Sequence, residues 1–312
     1  MRTIFLGTPE MAVPSFERVV ADGHQVVAVF TQPDKPSGRG KQFHPTPVKV
    51  AAQKYHLPVY QPSKIRTEEM RQLFTSLAPE VAVIVAYGRI IPDWMLSIPK
   101  FGFVNVHFSL LPAYRGAAPV NWAVVNGEKK TGVTTMQVVP ELDAGDILQQ
   151  ASVDIEVEET AVELGHRLSL LGADLLSETL KRLPELKPEK QGEGVSYAPI
   201  LKREDGVIDW QNSTAEEIVR RIRGFQPWPG SYTTLNGTRL LLWQAQQVQL
   251  DREVKHQPGE IVQLDKDAIV VASKDSYLAI RELQLEGRKR LSARDFLNGI
   301  RLQIGQILGE TS

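Results

Sequence analysis

The sequence predicts an α/β protein in which a doubly wound, mostly parallel sheet is followed by a small β-barrel. Three observations support this fold class. In the first half of the chain, short apolar runs alternate with longer amphipathic stretches, which is typical of parallel strands joined by crossover helices. A stretch rich in Pro, Gly and Lys interrupts this pattern at 183–202. Several short strand-like runs follow it at close spacing, as in small barrels.

The first half contains four apolar runs that predict strands and four amphipathic stretches that predict helices. The predicted strands cover 3–6, 25–30, 81–86 and 103–108, and the predicted helices cover 12–22, 47–56, 66–78 and 118–126. Two further runs, at 132–139 and 146–157, are joined by a short polar connection. This pattern predicts an antiparallel addition at the sheet edge. A helix at 160–182, with apolar residues at helical spacing, ends the first domain.

The breaker-rich segment 183–202 is predicted to be a linker, so the two domains are 1–182 and 203–312. In the second domain, we predict a helix at 214–223 and short strands at 231–235, 238–244, 260–263, 268–272 and 278–284. Asn236-Gly237 between two of these strands is a strong two-residue hairpin signal. Together these features predict a barrel similar to the oligonucleotide-binding (OB) folds.

The composition restricts the classes of function. The chain has 312 residues, 42% of them hydrophobic, and a formal net charge of -1, so a nucleic-acid site would require a local basic patch. With 0 cysteines, the chain has no disulfide, no thiolate nucleophile and no Cys-ligated metal. The histidines lack metal-ligand spacing and no apolar run is long enough to span a bilayer. We therefore expect a soluble cytoplasmic protein without a metal.

Three polar residues form a candidate catalytic group. Asn105 and His107 alternate with apolar residues in one predicted strand, so they share one face of it. They lie near the carboxyl end of this strand, where open α/β sheets bind ligands. Asp143 lies in the tight connection at the predicted sheet edge. Each residue alone has an ordinary structural explanation, but an amide, an imidazole and a carboxylate at one ligand-binding edge together indicate catalysis.

A long ordered motif surrounds these residues. It runs Asn105-x-His107-x-Ser109-Leu110-Leu111-Pro112-x-Tyr114-Arg115-Gly116-Ala117-x-Pro119, followed by Thr131-Gly132-Val133-Thr134 and Leu142-Asp143-x-Gly145-Asp146. This motif resembles the signature of the 10-formyltetrahydrofolate-dependent formyltransferases. The likeness extends over essentially the whole chain, including Gly7-Thr8-Pro9, Val85-Ala86-Tyr87-Gly88 and Phe225-Gln226-Pro227-Trp228-Pro229. A dinucleotide-binding alternative is disfavoured because no G-x-G-x-x-G follows the first strand.

The resemblance implies transfer of a formyl group from 10-formyltetrahydrofolate, the co-substrate, to an amine. Asn105 and His107 are chemically suited to stabilise the oxyanion of such an acyl transfer, and His107 with Asp143 to move its protons. The family assigns its three catalytic roles to the residues that match these positions. It also implies a folate site. The residues assigned to that site are Tyr87, Gly88, Ile90, Ser109, Leu110, Leu111 and Pro112.

Two features bear on the amine that is formylated. The first is a loop with Lys35, Arg39 and Lys41, which resembles the insertion that grips a tRNA acceptor end in some family members. The second is the clustering of cations in the second domain, with Arg220, Arg221 and Arg223 on one helix and Arg288-Lys289-Arg290 near the end. Such clusters suit contacts with RNA phosphates.

We therefore predict that initiator methionyl-tRNA is the acceptor, bound through Lys35, Arg39, Lys41, Arg288, Lys289 and Arg290 by a monomeric enzyme without a membrane partner. Two alternatives stay open. One is a formyltransferase that acts on an amino-sugar nucleotide, and the other is a non-catalytic RNA- or folate-binding protein with the same fold.

Overall fold

The computed structural model describes residues 1–37, 42–250 and 256–309. Contacts group these residues into two compact units. The first consists of described residues in the ranges 1–119, 130–154 and 165–198, and the second of those in 120–129, 155–164 and from 199 onward. Two short segments of the predicted first domain, 120–129 and 155–164, thus group with the second unit, and the predicted linker up to residue 198 groups with the first. The domain boundaries at 182 and 203 stay a prediction.

A seven-stranded sheet forms the centre of the first unit. The strands of this unit are β1 (Arg2–Gly7), β2 (Gln25–Phe30), β3 (Lys35–Ser37), β4 (Gln42–His44), β5 (Val59–Tyr60), β6 (Val81–Val85), β7 (Phe103–His107), β8 (Arg115–Gly116), β9 (Lys130–Gln137), β10 (Ile147–Asp154) and β11 (Tyr197–Ala198). The sheet order is β10-β9-β7-β6-β1-β2-β5, with β3 pairing β4 and β8 pairing β11 in two small separate ladders.

The pairing of these strands confirms the predicted sheet. Strands β1, β2, β5, β6 and β7 are mutually parallel, whereas β9 and β10 add to the edge in antiparallel pairs. The strand order reverses between β1 and β6, and at such a reversal the carboxyl ends of the strands open a crevice for a ligand. The carboxyl ends of β1, β6 and β7 are therefore the expected edge for a functional site.

Several helices of the chain begin at a residue whose side chain caps the first turn. The helices are α1 (Val13–Ala21), α2 (Pro47–Lys54), α3 (Glu68–Ser76), α4 (Asp93–Leu96), α5 (Pro119–Val125), α6 (Ala161–Arg182), α7 (Ala215–Gly224) and α8 (Ala293–Gly299). Thr46 accepts a hydrogen bond from the N–H of Lys49 at the start of α2, and Thr67 does the same for Met70 at the start of α3. These side chains satisfy backbone donors that the helix itself leaves unpaired.

Aromatic side chains fill the core on one face of the parallel sheet. The rings of Phe30, Phe74 and Phe103 follow one another with centroid separations of 5.9 Å, and all three are almost fully buried. Because Phe103 belongs to β7, its packing holds the strand that carries Asn105 and His107. The site is thus supported by the core and does not depend on a loop for its first two residues.

The second unit is built around an antiparallel sheet, as predicted. Its strands are β12 (Ser231–Leu235), β13 (Thr238–Val248), β14 (Ile261–Leu264), β15 (Ile269–Ala272), β16 (Tyr277–Leu285) and β17 (Leu291–Ser292), in the order β12-β13-β16-β15-β14 with β17 on β16. The C-terminal segment joins the two edges, because Leu308 N–H donates to Gly259 O and Gly309 N–H donates to Thr234 O. This closure gives the barrel character expected of an OB-like fold.

The structure adds short elements that the sequence pattern did not predict. These are β3, β4, β5, β8, β11, β17, α4 and α8. Most are two to four residues long, which is too short for a periodic pattern of apolar residues to reveal them. Helix α8 is an exception, since Ser292 caps it by accepting the N–H of Asp295, a start signal that was present in the sequence. In the described ranges, no helix has the length and apolar character needed to cross a membrane.

Candidate active site

Strand β7 presents Asn105 and His107 at the edge of the sheet where the parallel strands end. Asn105 pairs with Ile84 of β6 on one side and with Met136 of β9 on the other. Its side chain is half-buried and makes no hydrogen bond to any described residue. An amide at this place in a sheet normally finds a partner in the protein or in solvent. Here its donors are available to a ligand.

His107 lies between two oxygen atoms that accept hydrogen bonds. Its Nε2 atom is 2.9 Å from the carbonyl oxygen of Tyr114, which can only accept, so Nε2 carries a proton. Its Nδ1 atom is 3.7 Å from Oδ2 of Asp143, an ion-pair distance that is too long for a direct hydrogen bond. The ring is only 6% exposed. Both nitrogens therefore face oxygen acceptors, an arrangement that suits a ring that takes up and releases a proton.

Asp143 is held in a strained turn between β9 and β10. Its φ of 46° lies in the left-handed region, which costs free energy for a residue other than glycine. Oδ2 of its carboxylate accepts the N–H of Gly116 at 2.8 Å. The turn needs a glycine two residues later, since a Cβ atom on Gly145 would overlap the carbonyl oxygen of Gln137. Surrounding contacts thus hold Asp143 in a backbone conformation that it would not prefer by itself, and they place its carboxylate beside His107.

The loop that follows β7 is tied down by Thr134 of β9. Thr134 donates through Oγ1 to Ser109 O at 2.7 Å and accepts the N–H of Leu111 at 3.1 Å. Gln150 adds hydrogen bonds to Leu111 O and to Thr134 Oγ1. Ser109 and Leu111 are buried, whereas Leu110 and Pro112 are half-buried. Of the four predicted folate residues in this loop, Leu110 and Pro112 thus keep partly accessible side chains.

The segment after β6 carries the other predicted folate residues. The Tyr87 ring lies in the core with 1% exposure, and its hydroxyl has no partner among the described residues. Burial raises the pKa of Tyr87 above its ordinary value. Its carbonyl oxygen accepts hydrogen bonds from Thr8 and from Gln32. Gly88 is exposed and Ile90 is 71% exposed, so a ligand at this edge would meet Gly88 and Ile90 and would not meet the Tyr87 ring.

Three residues at this edge were not singled out by the sequence pattern. Gln32 receives a hydrogen bond from Arg89, whose guanidinium also donates to Ser63 O. Gln191 contacts the Asp143 turn from within the predicted linker. Neither glutamine lies in a motif with a regular spacing, so only the tertiary contacts reveal them. Arg89 lies between the predicted folate residues Gly88 and Ile90. This position in the sequence was the one signal that could have pointed to Arg89 as a residue of the site.

The cations predicted to bind tRNA differ in their surroundings. Lys35 is exposed on the β3–β4 hairpin, and Arg39 and Lys41 lie outside the described residues. The base of this hairpin is fixed by Asp34, which accepts hydrogen bonds from Lys49 Nζ at 2.6 Å and from Gln61. The hydrogen bond from Lys49 is the main cause that lowers the pKa of Asp34.

In the second unit, Arg288 and Lys289 are exposed and make no ion pair with a described residue. Arg290 instead pairs with Glu282 and stacks on Trp243, with 4.9 Å between its guanidinium carbon and the ring centroid. Its charge is therefore partly compensated within the barrel. Arg288 and Lys289 keep the unpaired charge that a phosphate contact requires.

The three arginines of helix α7 do not form a free cationic surface. Arg220 pairs with Glu216, Arg221 donates to Asp205 O, and Arg223 donates to Glu159 O. Burial lowers the pKa of both Arg221 and Arg223. These side chains are thus engaged within the second unit, and a contact of this cluster with RNA phosphates stays a prediction. No group of three or more His, Asp or Glu in the described parts of the chain has the geometry of a metal site.

Comparison with known proteins identifies the family of this chain. Two family profiles match the chain, one described as formyl transferase over residues 1–180 and one as formyl transferase, C-terminal domain, over residues 200–301. A methionyl-tRNA formyltransferase of Geobacter metallireducens is 49% identical over 309 residues, which is 98% of each chain.

Solved structures share the fold at lower identity. An N-formyltransferase of Helicobacter canadensis, solved with folinic acid and dTDP-3-aminofucose, is 18% identical with a TM-score of 0.65 and covers 93% of this chain and 100% of its own. HypX of Aquifex aeolicus, solved with tetrahydrofolic acid, is 18% identical with a TM-score of 0.63, and the match covers 95% of this chain and 47% of HypX. The family profiles and the full-length relative together show that the chain belongs to the methionyl-tRNA formyltransferases within the formyl transferase family.

Proposed function

We propose that this enzyme transfers the formyl group of 10-formyltetrahydrofolate to the free amino group of the methionine carried by initiator methionyl-tRNA. The observation that carries the proposal is the grouping of Asn105, His107 and Asp143 at the ligand-binding edge of the sheet, in a chain whose full-length relatives are methionyl-tRNA formyltransferases. The unpartnered Asn105 amide beside a His–Asp pair fits acyl transfer, which needs an oxyanion donor and a proton acceptor.

The reaction makes one C–N bond and breaks another. The methionine nitrogen bonds to the formyl carbon, the bond between that carbon and N10 of the folate breaks, and one proton passes from the amine to N10. Asn105 donates to the oxygen that gains negative charge on the formyl carbon. His107 takes the proton from the amine and returns it to the leaving nitrogen. The Asp143 carboxylate, 3.7 Å from Nδ1 of His107, stabilises the positive charge that the ring carries between these two steps.

The folate site in this proposal lies between the segment after β6 and the loop after β7. Gly88, Ile90, Leu110 and Pro112 are the predicted residues that remain accessible there, while Tyr87, Ser109 and Leu111 shape the site from the buried side. Backbone groups in these segments suit a pterin, since its edge is a fixed array of donors and acceptors. The Thr134 hydrogen bonds hold the second segment rigid, which lowers the entropic cost of binding.

The acceptor tRNA is proposed to contact the exposed cations on each unit. Lys35 on the hairpin and Arg288 and Lys289 on the barrel are exposed. Arg39 and Lys41, which lie outside the described residues, complete the set that the sequence predicts. Arg290 contributes less, because Glu282 already pairs with it.

The test is formyl transfer by the purified protein. With 10-formyltetrahydrofolate and charged initiator methionyl-tRNA, we expect formylmethionyl-tRNA as product. Asp143→Asn should lower the rate by about 10²-fold or more, typical for loss of an acid–base group, and should keep the fold because Asn still accepts the N–H of Gly116. Formylation of an amino-sugar nucleotide, with no reaction on methionyl-tRNA, would replace this proposal by the sugar alternative.

A further inference from the structure

The side chain of Gln191 uses its whole hydrogen-bonding capacity beside the candidate active site. Its Nε2 atom donates to Asp143 O at 2.7 Å and to Gly145 O at 2.8 Å. Its Oε1 atom accepts from Nε of Arg115 at 3.0 Å and from Nη2 of Arg115 at 2.6 Å. An amide has two donor hydrogens and two acceptor lone pairs, so all four positions are occupied.

This pattern fixes the orientation of the amide. If the amide were turned over, its oxygen would face two carbonyl oxygens and its NH₂ group would face the guanidinium of Arg115. Both contacts would be repulsive, so one orientation is strongly preferred. Gln191 therefore acts as a rigid connector between Arg115 and the backbone of the turn from Asp143 to Gly145.

The contacts form a closed ring around the catalytic carboxylate. Gln191 holds the backbone of Asp143, Gly116 donates its N–H to the carboxylate, and Arg115, the neighbour of Gly116, is held by Gln191. The turn needs this support because Asp143 has a φ of 46° and a left-handed conformation persists only when its surroundings impose it.

Gln191 is itself anchored on both sides along the chain. Glu189 exchanges two backbone hydrogen bonds with Ile147, at 2.7 and 2.8 Å. On the other side, Ser196 O accepts the N–H of Arg115 at 2.9 Å. The segment between these anchors is exposed except for half-buried Gln191 and Ser196. The predicted linker is thus fastened to the first unit at the point where Gln191 reaches the site.

We propose that Gln191 is a positioning residue that holds the Asp143 carboxylate in register with His107 for formyl transfer. The expected effect on kcat rests on the proposed function, whereas the expected effect on the position of Asp143 rests on the hydrogen-bond geometry alone. Gln191 does not touch the reacting atoms. It acts through Asp143, and misplacing a catalytic group by about 1 Å can cost about 10²-fold in rate.

The test uses Gln191→Met, which keeps length and removes all four hydrogen bonds, and Gln191→Glu, which keeps acceptors for Arg115 but turns an oxygen toward the two carbonyls. In both, kcat for formyl transfer to methionyl-tRNA should fall about 10- to 100-fold, with KM for both substrates within about threefold. The matched control is Gln226→Met, because Gln226 also donates from Nε2 to two backbone carbonyls, those of Ile222 and Trp243, within the other unit. The control should keep kcat within about threefold of the unsubstituted enzyme.

A crystal structure of each Gln191 variant gives a readout that needs no activity. The 2.8 Å contact between Gly116 N and the Asp143 carboxylate should lengthen beyond hydrogen-bonding distance. An unchanged turn in either variant, or a normal kcat in a folded variant, overturns the role of Gln191. If Gln191→Met does not fold, Gln191→Glu decides both readouts. An inactive unsubstituted enzyme would instead overturn the proposed function, and the variant structures would still decide whether Gln191 positions Asp143.

Discussion

Replacement of Asn105 by Ala separates catalysis from stability. The side chain makes no hydrogen bond to a described residue, so its removal leaves no buried partner unsatisfied, and the backbone pairs of β7 with β6 and β9 remain. We expect the free energy of unfolding to change by no more than about 0.5 kcal/mol, as for substitutions that break no internal contact. The loss of an oxyanion donor should lower kcat about 10²- to 10³-fold, which is about 2.7 to 4 kcal/mol of transition-state stabilisation.

Thr134→Val is the contrasting variant on the neighbouring strand. Thr134 is fully buried, and its Oγ1 atom bonds to Ser109, Leu111 and Gln150. Its removal leaves buried groups unpaired and should cost about 1 to 3 kcal/mol of stability. Urea unfolding and initial rates at saturating folate and methionyl-tRNA measure both quantities. If Asn105→Ala retains kcat within about threefold, or loses as much stability as Thr134→Val, the assignment of its amide to the reacting oxygen is wrong.

Three other expectations concern the buried hydroxyl, the base of the hairpin and the tRNA contacts. Tyr87→Phe should raise the free energy of unfolding by about 1 kcal/mol, since the buried hydroxyl has no partner among the described residues. Burial raises the pKa of Tyr87, so just above pH 10 the phenol ionises in the unfolded protein only. The difference in unfolding free energy between Tyr87→Phe and the unsubstituted protein, measured with denaturant, should therefore grow there. A lower unfolding free energy for Tyr87→Phe would contradict this expectation. Lys49 lowers the pKa of Asp34. The unsubstituted protein should therefore have a higher free energy of unfolding than Asp34→Asn at neutral pH, and this difference should disappear as the pH falls below about 4. An equal difference in unfolding free energy at pH 3 and pH 7 would count against the ion pair. Arg39→Leu should lower kcat/KM for methionyl-tRNA and leave folate binding unchanged, with partial recovery in Arg39→Lys, and unchanged tRNA kinetics would remove the hairpin from the tRNA site.

The parallel sheet and the barrel were predictable from the sequence because they depend on local patterns. Apolar runs at 25–30 and 81–86 and the Asn236-Gly237 turn carry their structural preference within a few residues, and the structure confirms them. Asn105 and His107 were also predictable as a pair, since the alternation of a strand places every second side chain on one face. The shared face of Asn105 and His107 on β7 therefore follows from the period of the strand.

Only the tertiary structure decided which polar groups meet. Asp143 reaches His107 across 36 positions of sequence, and Gln191 reaches Asp143 across 48. The sequence pattern placed Gln191 in a predicted linker, whereas long-range contacts tie its side chain to the candidate site. Long-range packing also buries the ring of Tyr87 in the core, and a folate contact through its backbone stays a prediction. The local sequence pattern determines which side chains lie on the same face of a strand. Contacts between distant segments depend instead on the order of the strands in the sheet and on how the loops and helices pack against it. The geometry of the candidate site depends on those contacts, which is the physical reason why the sequence alone could propose the catalytic residues and left the residues that support them undetermined.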